Sequence, residues 1–319
     1  MRRDSHAMKC KRCAAKAAVH LPHHNAAFCR DCFILYFRRQ VQRTIERDRM
    51  FSAGDRVLVA VSGGKDSLAL WEVLVGLGYQ TVGLHLALGI GAYSQQSTEK
   101  TRAFADRHGL RLLTVELHEE ALPVPTLARF TNRPPCSACG TAKRHYFDRI
   151  AYEQGFDVLA TGHNLDDEAA RLMGNVMRWQ VDHLGKQQPV LSARHERFVR
   201  KVKPLYRVPE YETAVYAFLS GIDYLIEECP NSAGASQLVY KDALNRIEAA
   251  MPGSKLTFVQ EFLKNGQPAF AGATAIPPET CESCGMPAFG RVCAYCRLVE
   301  EVRRKQSRQP AAGATGDHG

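Results

Sequence analysis

The sequence predicts an α/β fold: a doubly wound parallel sheet, flanked towards each end of the chain by a small cysteine module. Three observations predict it. From Arg56 onward, short apolar runs alternate with helix-forming stretches, the pattern of strand–helix–strand units. The first run, Val57–Val61, breaks at Ser62-Gly63-Gly64-Lys65-Asp66-Ser67 and resumes as helix formers. Outside this region stand two pairs of Cys-x2-Cys motifs, one near the start and one near the end.

At 319 residues and 45% hydrophobic content, the chain can bury a full α/β core and carry extra modules. No apolar run reaches transmembrane length, and Met1–Cys10 is too polar for a signal peptide, so the expected location is cytoplasmic. Eleven cysteines in such a chain predict metal sites rather than disulfides. The formal charge of +9 points to an acidic partner such as nucleic acid. Two four-thiolate zinc sites would reduce it to about +5, a moderate basic signal.

In chain order, Cys10, Cys13, Cys29 and Cys32 have the spacing of two knuckles on one tetrahedral zinc. Four thiols fill that site, so His20, His23 and His24 read as surface residues or a phosphate-facing patch. Phe33–Met50 predicts a helix with Phe33, Phe37, Val41 and Ile45 on one face and many arginines on the other. It would link the first module to the sheet and offer some contact to RNA backbone. After Val57–Val61 and the glycine turn, the expected elements are a helix from Asp66 to about Leu77, a strand over Tyr79–Leu86, a flexible turn at Leu88–Gly91, a helix over Ser97–His108 and a strand over Arg111–Glu116. A helix carrying Lys143 and Arg144 follows Cys136-x2-Cys139. Asp157–Thr161 reads as a strand, and Val181–Lys203 as a basic loop or hairpin over the active site. Glu210–Leu219 reads as a helix, Ile222–Ile226 as a strand, and Ser236–Ala250 and Lys255–Asn265 as helices. An Ala/Gly/Pro linker, Ala269–Pro278, precedes the second cysteine set, Cys281, Cys284, Cys293 and Cys296, also read as zinc. The expected divisions are residues 1–35 (finger), 36–55 (linker helix), 56–268 (sheet domain), 269–304 (linker and finger) and 305–319 (disordered tail).

The glycine turn carries chemistry. Gly63 and Gly64 permit close approach of a ligand to the main chain, and the free amides of the next helical turn favour a phosphate. Ser62, Lys65 and Ser67 add hydroxyls and a positive charge. It is not a Walker loop, since Val59 holds the position of that motif's first glycine. Ligands of open α/β sheets sit beyond the carboxyl ends of strands, so His85 could border an adenine or be a satisfied core histidine. The same edge carries Gly162-His163-Asn164-Leu165-Asp166-Asp167-Glu168, whose paired acids could hold magnesium, handle a proton, or simply begin a helix. Read alone, Cys136-x2-Cys139 could be a redox pair at a helix start. Cys229, in Glu227-Glu228-Cys229-Pro230, brings a third cysteine near that edge.

The loop SGGKDS resembles the pyrophosphate loop of N-type ATP pyrophosphatases, a HUP-like fold that splits ATP between its α and β phosphates. Together with PPCSACGTAKR, ATGHNLDDEA, RKVKPLYR, EECPNS and a finger at each end, the chain resembles the two-zinc-finger tRNA 2-thiolation enzymes from Cys10 to Cys296. The resemblance implies that Ser62, Gly63, Gly64, Lys65, Asp66, Ser67, His85 and Gly162 serve ATP with Mg2+. It implies that a tRNA uridine is adenylated on its C2 oxygen, that sulfur then displaces AMP, and that Lys143 and either Asp166 or Asp167 take part. It implies a 4Fe–4S cluster on Cys136, Cys139 and Cys229, with one iron left open. It further implies a homodimer, and sulfur delivered as sulfide or on a ubiquitin-like thiocarboxylated protein. Many relatives have His as the fourth ligand of the first finger; here it is Cys32, which also suits zinc. Three rival readings stand beside this one: an ATP-dependent amidating or cyclising ligase on the same loop, which would not need the central cysteines; a non-enzymatic zinc- and nucleotide-dependent RNA-binding module; and, for the sulfur step, a persulfide route through two cysteines without iron.

Overall fold

The computed structural model describes residues 8–120, 122–232, 234–270 and 278–308. In the first module β1 (Val19–Leu21) pairs with β2 (Ala26–Phe28), and α1 (Arg30–Arg47) follows directly. The sheet domain runs β3 (Val57–Val61), α2 (Lys65–Gly76), β4 (Thr81–Ala87), α3 (Gly91–His108), β5 (Leu112–Glu116), α4 (Leu117–Glu120), α5 (Val124–Thr131), α6 (Pro135–Glu153), β6 (Val158–Thr161), α7 (Leu165–Met177), α8 (Val181–Gly185), β7 (Val190–Leu191), β8 (Arg200–Val202) and α9 (Glu210–Leu219). Then come α10 (Ser236–Ala250), α11 (Ser254–Glu261) and α12 (Gln267–Phe270), with a wide helical turn at Phe262–Gly266 between the last two. The second module holds β9 (Glu279–Thr280), β10 (Pro287–Ala288) and α13 (Ala294–Ser307).

The six strands lie in the order β5-β4-β3-β6-β8-β7. All neighbours are parallel except β7, which runs antiparallel at the edge. The chain winds outward from β3 to β5, then returns to the other side of β3 with β6. The switch point therefore lies between β3 and β6, where such sheets bind their ligands. Alternation along β3 sends Val57, Val59 and Val61 into one core with α1 and α2, and Leu58 and Ala60 into another with α5, α6 and α13. Gly83 on β4 lies against the buried Trp71 indole, with no room there for a Cβ.

The expected face of α1, Phe33, Phe37, Val41 and Ile45, is fully buried, each side chain contributing roughly 1.5–3 kcal/mol of burial. Phe37 stacks on Tyr216 of α9 at 4.2 Å. The helix is thus core as well as linker, and it runs unbroken through the expected division at residue 35.

Four expectations differ from the structure. Ile222–Ile226 is not a strand: β3 is already paired on both sides, and the Leu225 N–H donates to the Gly63 carbonyl at 2.8 Å, bracing the loop instead. Val181–Lys203 does not cover the site but extends the sheet edge as β7 and β8, with Arg197 reaching the Gly285 carbonyl of the second module at 2.7 Å. The turn expected at Leu88–Gly91 ends sooner, because α3 starts at Gly91 with the Ile90 N–H on the Ser94 hydroxyl. Lys305–Ser307, expected in the tail, are the last turn of α13, where Lys305 pairs with Glu301 at 2.7 Å. Residues 309–319 of that tail, 271–277 of the linker and 1–7 lie outside the described residues.

Candidate active site and metal centres

The loop between β3 and α2 is held from every side. Gly63 has φ +73°, and a Cβ there would meet the Ser97 carbonyl at 2.7 Å, so both conformation and space demand glycine. The Ser97 hydroxyl donates to the Ser62 carbonyl at 2.7 Å. The Ser67 hydroxyl accepts from the Ser62 N–H at 3.1 Å and donates to the Gly64 carbonyl at 3.0 Å. Gly162, at the end of β6, packs directly on the loop: a Cβ would stand 2.9 Å from the Ser67 nitrogen.

The ammonium of Lys65 lies 3.0 Å from Asp66 and 2.6 Å from Glu210. Burial disfavours that charge, but the two carboxylates outweigh it and raise the Lys65 pKa. For Asp66 burial wins and raises the carboxyl, despite Lys65 and the Asn164 amide that donates to it at 3.1 Å. Lys241 from α10 bridges Glu210 at 2.9 Å and Asp167 at 2.7 Å. A chain of alternating charge, Lys65–Glu210–Lys241–Asp167, therefore runs from the loop to the start of α7.

The two acids of that start divide. Asn164 caps α7 and forms a reciprocal box with Asp167, accepting from its N–H at 3.0 Å while the Asp167 carboxylate accepts from the Asn164 N–H at 3.2 Å. Asp167 lines a cavity of about 290 Å³ shared with Ser62, Asp66, Ser67, His85 and Lys143. Asp166 points elsewhere: it accepts from the Glu210 N–H at 2.8 Å and pairs with the buried Lys255.

His85 proves to be both of the things expected of it. It is buried, with Nδ1 donating to the Val61 carbonyl at 3.0 Å and Nε2 at 2.9 Å from the Thr98 hydroxyl, yet it forms part of the cavity wall. Burial, aided by Lys143 and Arg102, pushes its pKa down to about 4, so it is neutral at physiological pH. His163, on the same wall, is also held down to about 4 by burial and by Arg171 and Lys203.

Cys136 and Cys139 lie in the first turns of α6, and Cys229 just before a short turn at Pro230–Ser232. The Cys136 thiol donates to the Asn231 carbonyl at 3.2 Å, which ties the two segments together. Burial raises the Cys139 thiol, Lys143 lowers it, and Cys229 and Cys136 are close enough to raise it further. Tyr93, on the cavity wall, is raised by burial and by Cys229 and Cys139. The three thiols thus lie near one another, with Tyr93 and Lys143 of the cavity wall within their electrostatic reach. They are spaced more widely than a set on one ion. A cluster that takes each thiolate on a different iron suits that spread.

Both four-cysteine sets are compact, with all ligand atoms within 4.8 Å of one another, and each can hold a metal ion. Burial acts against the Cys281 thiolate, but backbone N–H groups of Cys293, Cys284 and Ser283 outweigh it and bring the thiol to about 6. Behind the central cysteines, Tyr295 of α13 stacks on His145 of α6 at 4.3 Å, so the second module buttresses the cysteine helix.

Sequence reasoning missed Tyr93, Ser97, His163, Glu210 and Lys241 as parts of the site. Asn164 had a signal, an Asn with Asp three residues on. Lys241 had none, since its role depends on how α10 folds back over α7.

Residues 9–34 match the family model of the 2-thiouridine synthetase TtuA N-terminal LIM domain, and residues 35–234 that of the PP-loop domain. A tRNA-5-methyluridine(54) 2-sulfurtransferase of Thermus thermophilus is 49% identical, over 95% of this chain and 94% of that protein. One from Pyrococcus horikoshii is 41% identical, over 94% and 97%. Among solved structures, the U34-tRNA thiolase NcsA of Methanococcus maripaludis with its 4Fe–4S cluster superimposes with a TM-score of 0.76 at 27% identity, covering 92% of this chain and 96% of that one.

Proposed function

This chain belongs to the family of PP-loop tRNA 2-thiolation enzymes, and from that premise we propose that it replaces the C2 oxygen of 5-methyluridine 54 in tRNA with sulfur, in two steps. ATP occupies the cavity of about 290 Å³, its phosphates on the amides and hydroxyls of Ser62–Ser67 and its base towards His85 and Gly162. Asp66 would hold a magnesium ion, which when bound would offset phosphate charge. The uracil C2 oxygen attacks the α-phosphate, pyrophosphate leaves, and Asp167 takes the N3 proton as the O–P bond forms. Lys143 stabilises the charge that develops on the phosphate. A sulfide-level sulfur then adds to C2, the C2–O bond breaks, AMP leaves, and N3 regains a proton. Cys136, Cys139 and Cys229 would hold the 4Fe–4S cluster, whose open iron supplies a place for the incoming sulfur. Each four-cysteine set would hold a structural zinc, and the two modules would meet the tRNA.

The observation that supports this reading is a phosphate loop and a Lys143–Asp167 pair lining one cavity, whose wall residues Lys143 and Tyr93 feel the charges of the neighbouring thiols. Position 54 is favoured over 34 because the 49% and 41% identical relatives carry that name, against 27% for the U34 enzyme. The enzyme works in the cytoplasm as a homodimer, with sulfide or a thiocarboxylated ubiquitin-like protein as donor. The test uses anaerobically purified protein with tRNA, ATP and sulfide. AMP and 2-thio-5-methyluridine are expected, with the thiolated nucleoside mapped by mass spectrometry. Cys136→Ala, Cys139→Ala and Cys229→Ala are expected to lose thiolation and keep adenylation. Full thiolation by iron-free enzyme would leave the persulfide route instead.

A further inference from the structure

The turn between β1 and β2, Pro22–His24, lies against the first turn of α9. The sequence reads its two histidines as surface residues or a phosphate-facing patch. The structure turns His23 inward, with Nε2 at 2.8 Å from Oε1 of Glu212, the third residue of α9. Both atoms are shut off from solvent, yet among the described residues neither has the alignment of a hydrogen bond to a partner. The Glu212 side chain is 2% exposed, and His23 is the group its carboxylate meets within ion-pair distance among the described residues. A buried carboxylate oxygen without an aligned donor is costly. His24 stands beside them, its ring 4.2 Å from that of His23 and edge-on to Tyr36 of α1 at 5.7 Å. One nitrogen from each histidine and one oxygen of Glu212 lie within 4.8 Å of one another.

We propose that His23, His24 and Glu212 form a third metal site, distinct from both cysteine sets, that clamps the first module onto the PP-loop domain. The ligand atoms of one zinc ion stand about 2.0–2.2 Å from it, so a set drawn within 4.8 Å is close to the span that one ion holds. Two imidazoles and a carboxylate suit a divalent ion of the zinc class, with water in the fourth place. The ion would satisfy the two stranded atoms and join three elements: the β1–β2 turn, α1 through Tyr36, and α9. The last begins at Glu210, the partner of Lys65 in the loop. The orientation of the module that meets RNA would thereby be tied to the loop that meets ATP.

The test counts metal in the full-length protein, loaded with zinc and dialysed against a weak chelator. Wild type is expected to keep one equivalent more than either Glu212→Gln or His24→Ala. His24 is exposed, so His24→Ala folds even if Glu212→Gln does not. Added zinc should raise the melting temperature of chelator-treated wild type more than that of His24→Ala. Cobalt substitution separates this site from the fingers. Their sulfur-to-cobalt charge-transfer bands should be equal in all three proteins, while wild type alone shows the extra weak absorption of a nitrogen–oxygen site. Equal metal content and equal cobalt spectra in wild type and His24→Ala would overturn the proposal. Should the cysteine sets take no metal, the charge-transfer bands vanish from all three, and the difference between wild type and variants still reads the third site.

Discussion

Gly162→Ala is the sharpest probe of the ATP site, because it adds one methyl group where two backbones touch. The new Cβ would lie 2.9 Å from the Ser67 nitrogen and 3.0 Å from the Asp66 carbonyl carbon. Ordinary contact begins near 3.4 Å, so the loop must retreat from the end of β6 by about 0.5 Å. No side-chain rotation can absorb this, since both neighbours are main chain. Ser67 moves with the loop, and its hydroxyl organises Ser62 and Gly64. A misplacement of 1 Å costs on the order of a hundredfold in rate, so half that distance predicts a loss of about tenfold in adenylation. The stability cost, about 1–3 kcal/mol, is shared by a large core and leaves the fold intact. The assay is AMP release from ATP with saturating tRNA, beside a thermal melt and tRNA binding. A variant that adenylates within twofold of wild type would show that the contact between β6 and the loop does not position the phosphates.

The remaining predictions concern neighbouring groups. Asp167→Asn should fold normally and lose adenylation by more than a hundredfold, whereas Asp166→Asn should leave the buried Lys255 charge poorly compensated and cost about 3–5 kcal/mol; urea midpoints and AMP release on both variants would reveal a reversed assignment. Gly83→Val should force the Trp71 indole aside and cost roughly 1–3 kcal/mol, read from the thermal midpoint. Burial opposes the Glu210 charge, but Lys65 and Lys241 outweigh it and hold the carboxyl at about 2. Because the folded value lies below the ordinary 4.5, its stabilisation is complete above pH 4.5 and disappears as pH falls towards 2. Glu210→Gln should therefore flatten the acid limb of the stability curve in that window, and an unchanged limb would discount the Lys65–Glu210–Lys241 chain.

The elements with a strong period were legible, and those shaped by tertiary contacts were not. Val57–Val61, Glu210–Leu219 and Ser236–Ala250 are read from the sequence with their observed bounds. The start of α3 was hidden because its first turn, Gly91-Ala92-Tyr93-Ser94, carries no apolar stripe: Ser94 is buried through the hydrogen bond its hydroxyl accepts from the Ile90 N–H. The false strand at Ile222–Ile226 had the right composition. It lost to a sheet whose central strand had no free side, and Ile226 is left 80% exposed. At the site, the loop and the cysteines were visible because their chemistry is local. The split between Asp166 and Asp167 was not, since it depends on where Lys255 and Lys241 arrive from other helices.

The two cysteine modules, alike in their Cys-x2-Cys pairs, brace different halves of the reaction. The first runs into α1, which packs through Phe37 on Tyr216 of α9, and α9 begins at the partner of Lys65. The second runs into α13, whose Tyr295 lies against His145 and Tyr146 of α6, the helix that carries Cys136, Cys139 and Lys143. Loss of metal should therefore separate the two steps. Cys10→Ser should weaken ATP-dependent adenylation along with tRNA docking, because disorder in the first module reaches α9 and the loop. Cys281→Ser should leave adenylation comparatively intact and depress thiolation, because disorder in the second reaches the thiol-bearing end of α6. Removing a structural metal ion withdraws most of the folding free energy of a small module, so the effect should be large in each case. The measurement is the ratio of AMP released to 2-thiouridine formed, with metal content determined on the same samples. If both variants lower the two steps in the same proportion, the modules act only through tRNA binding and the bracing argument fails.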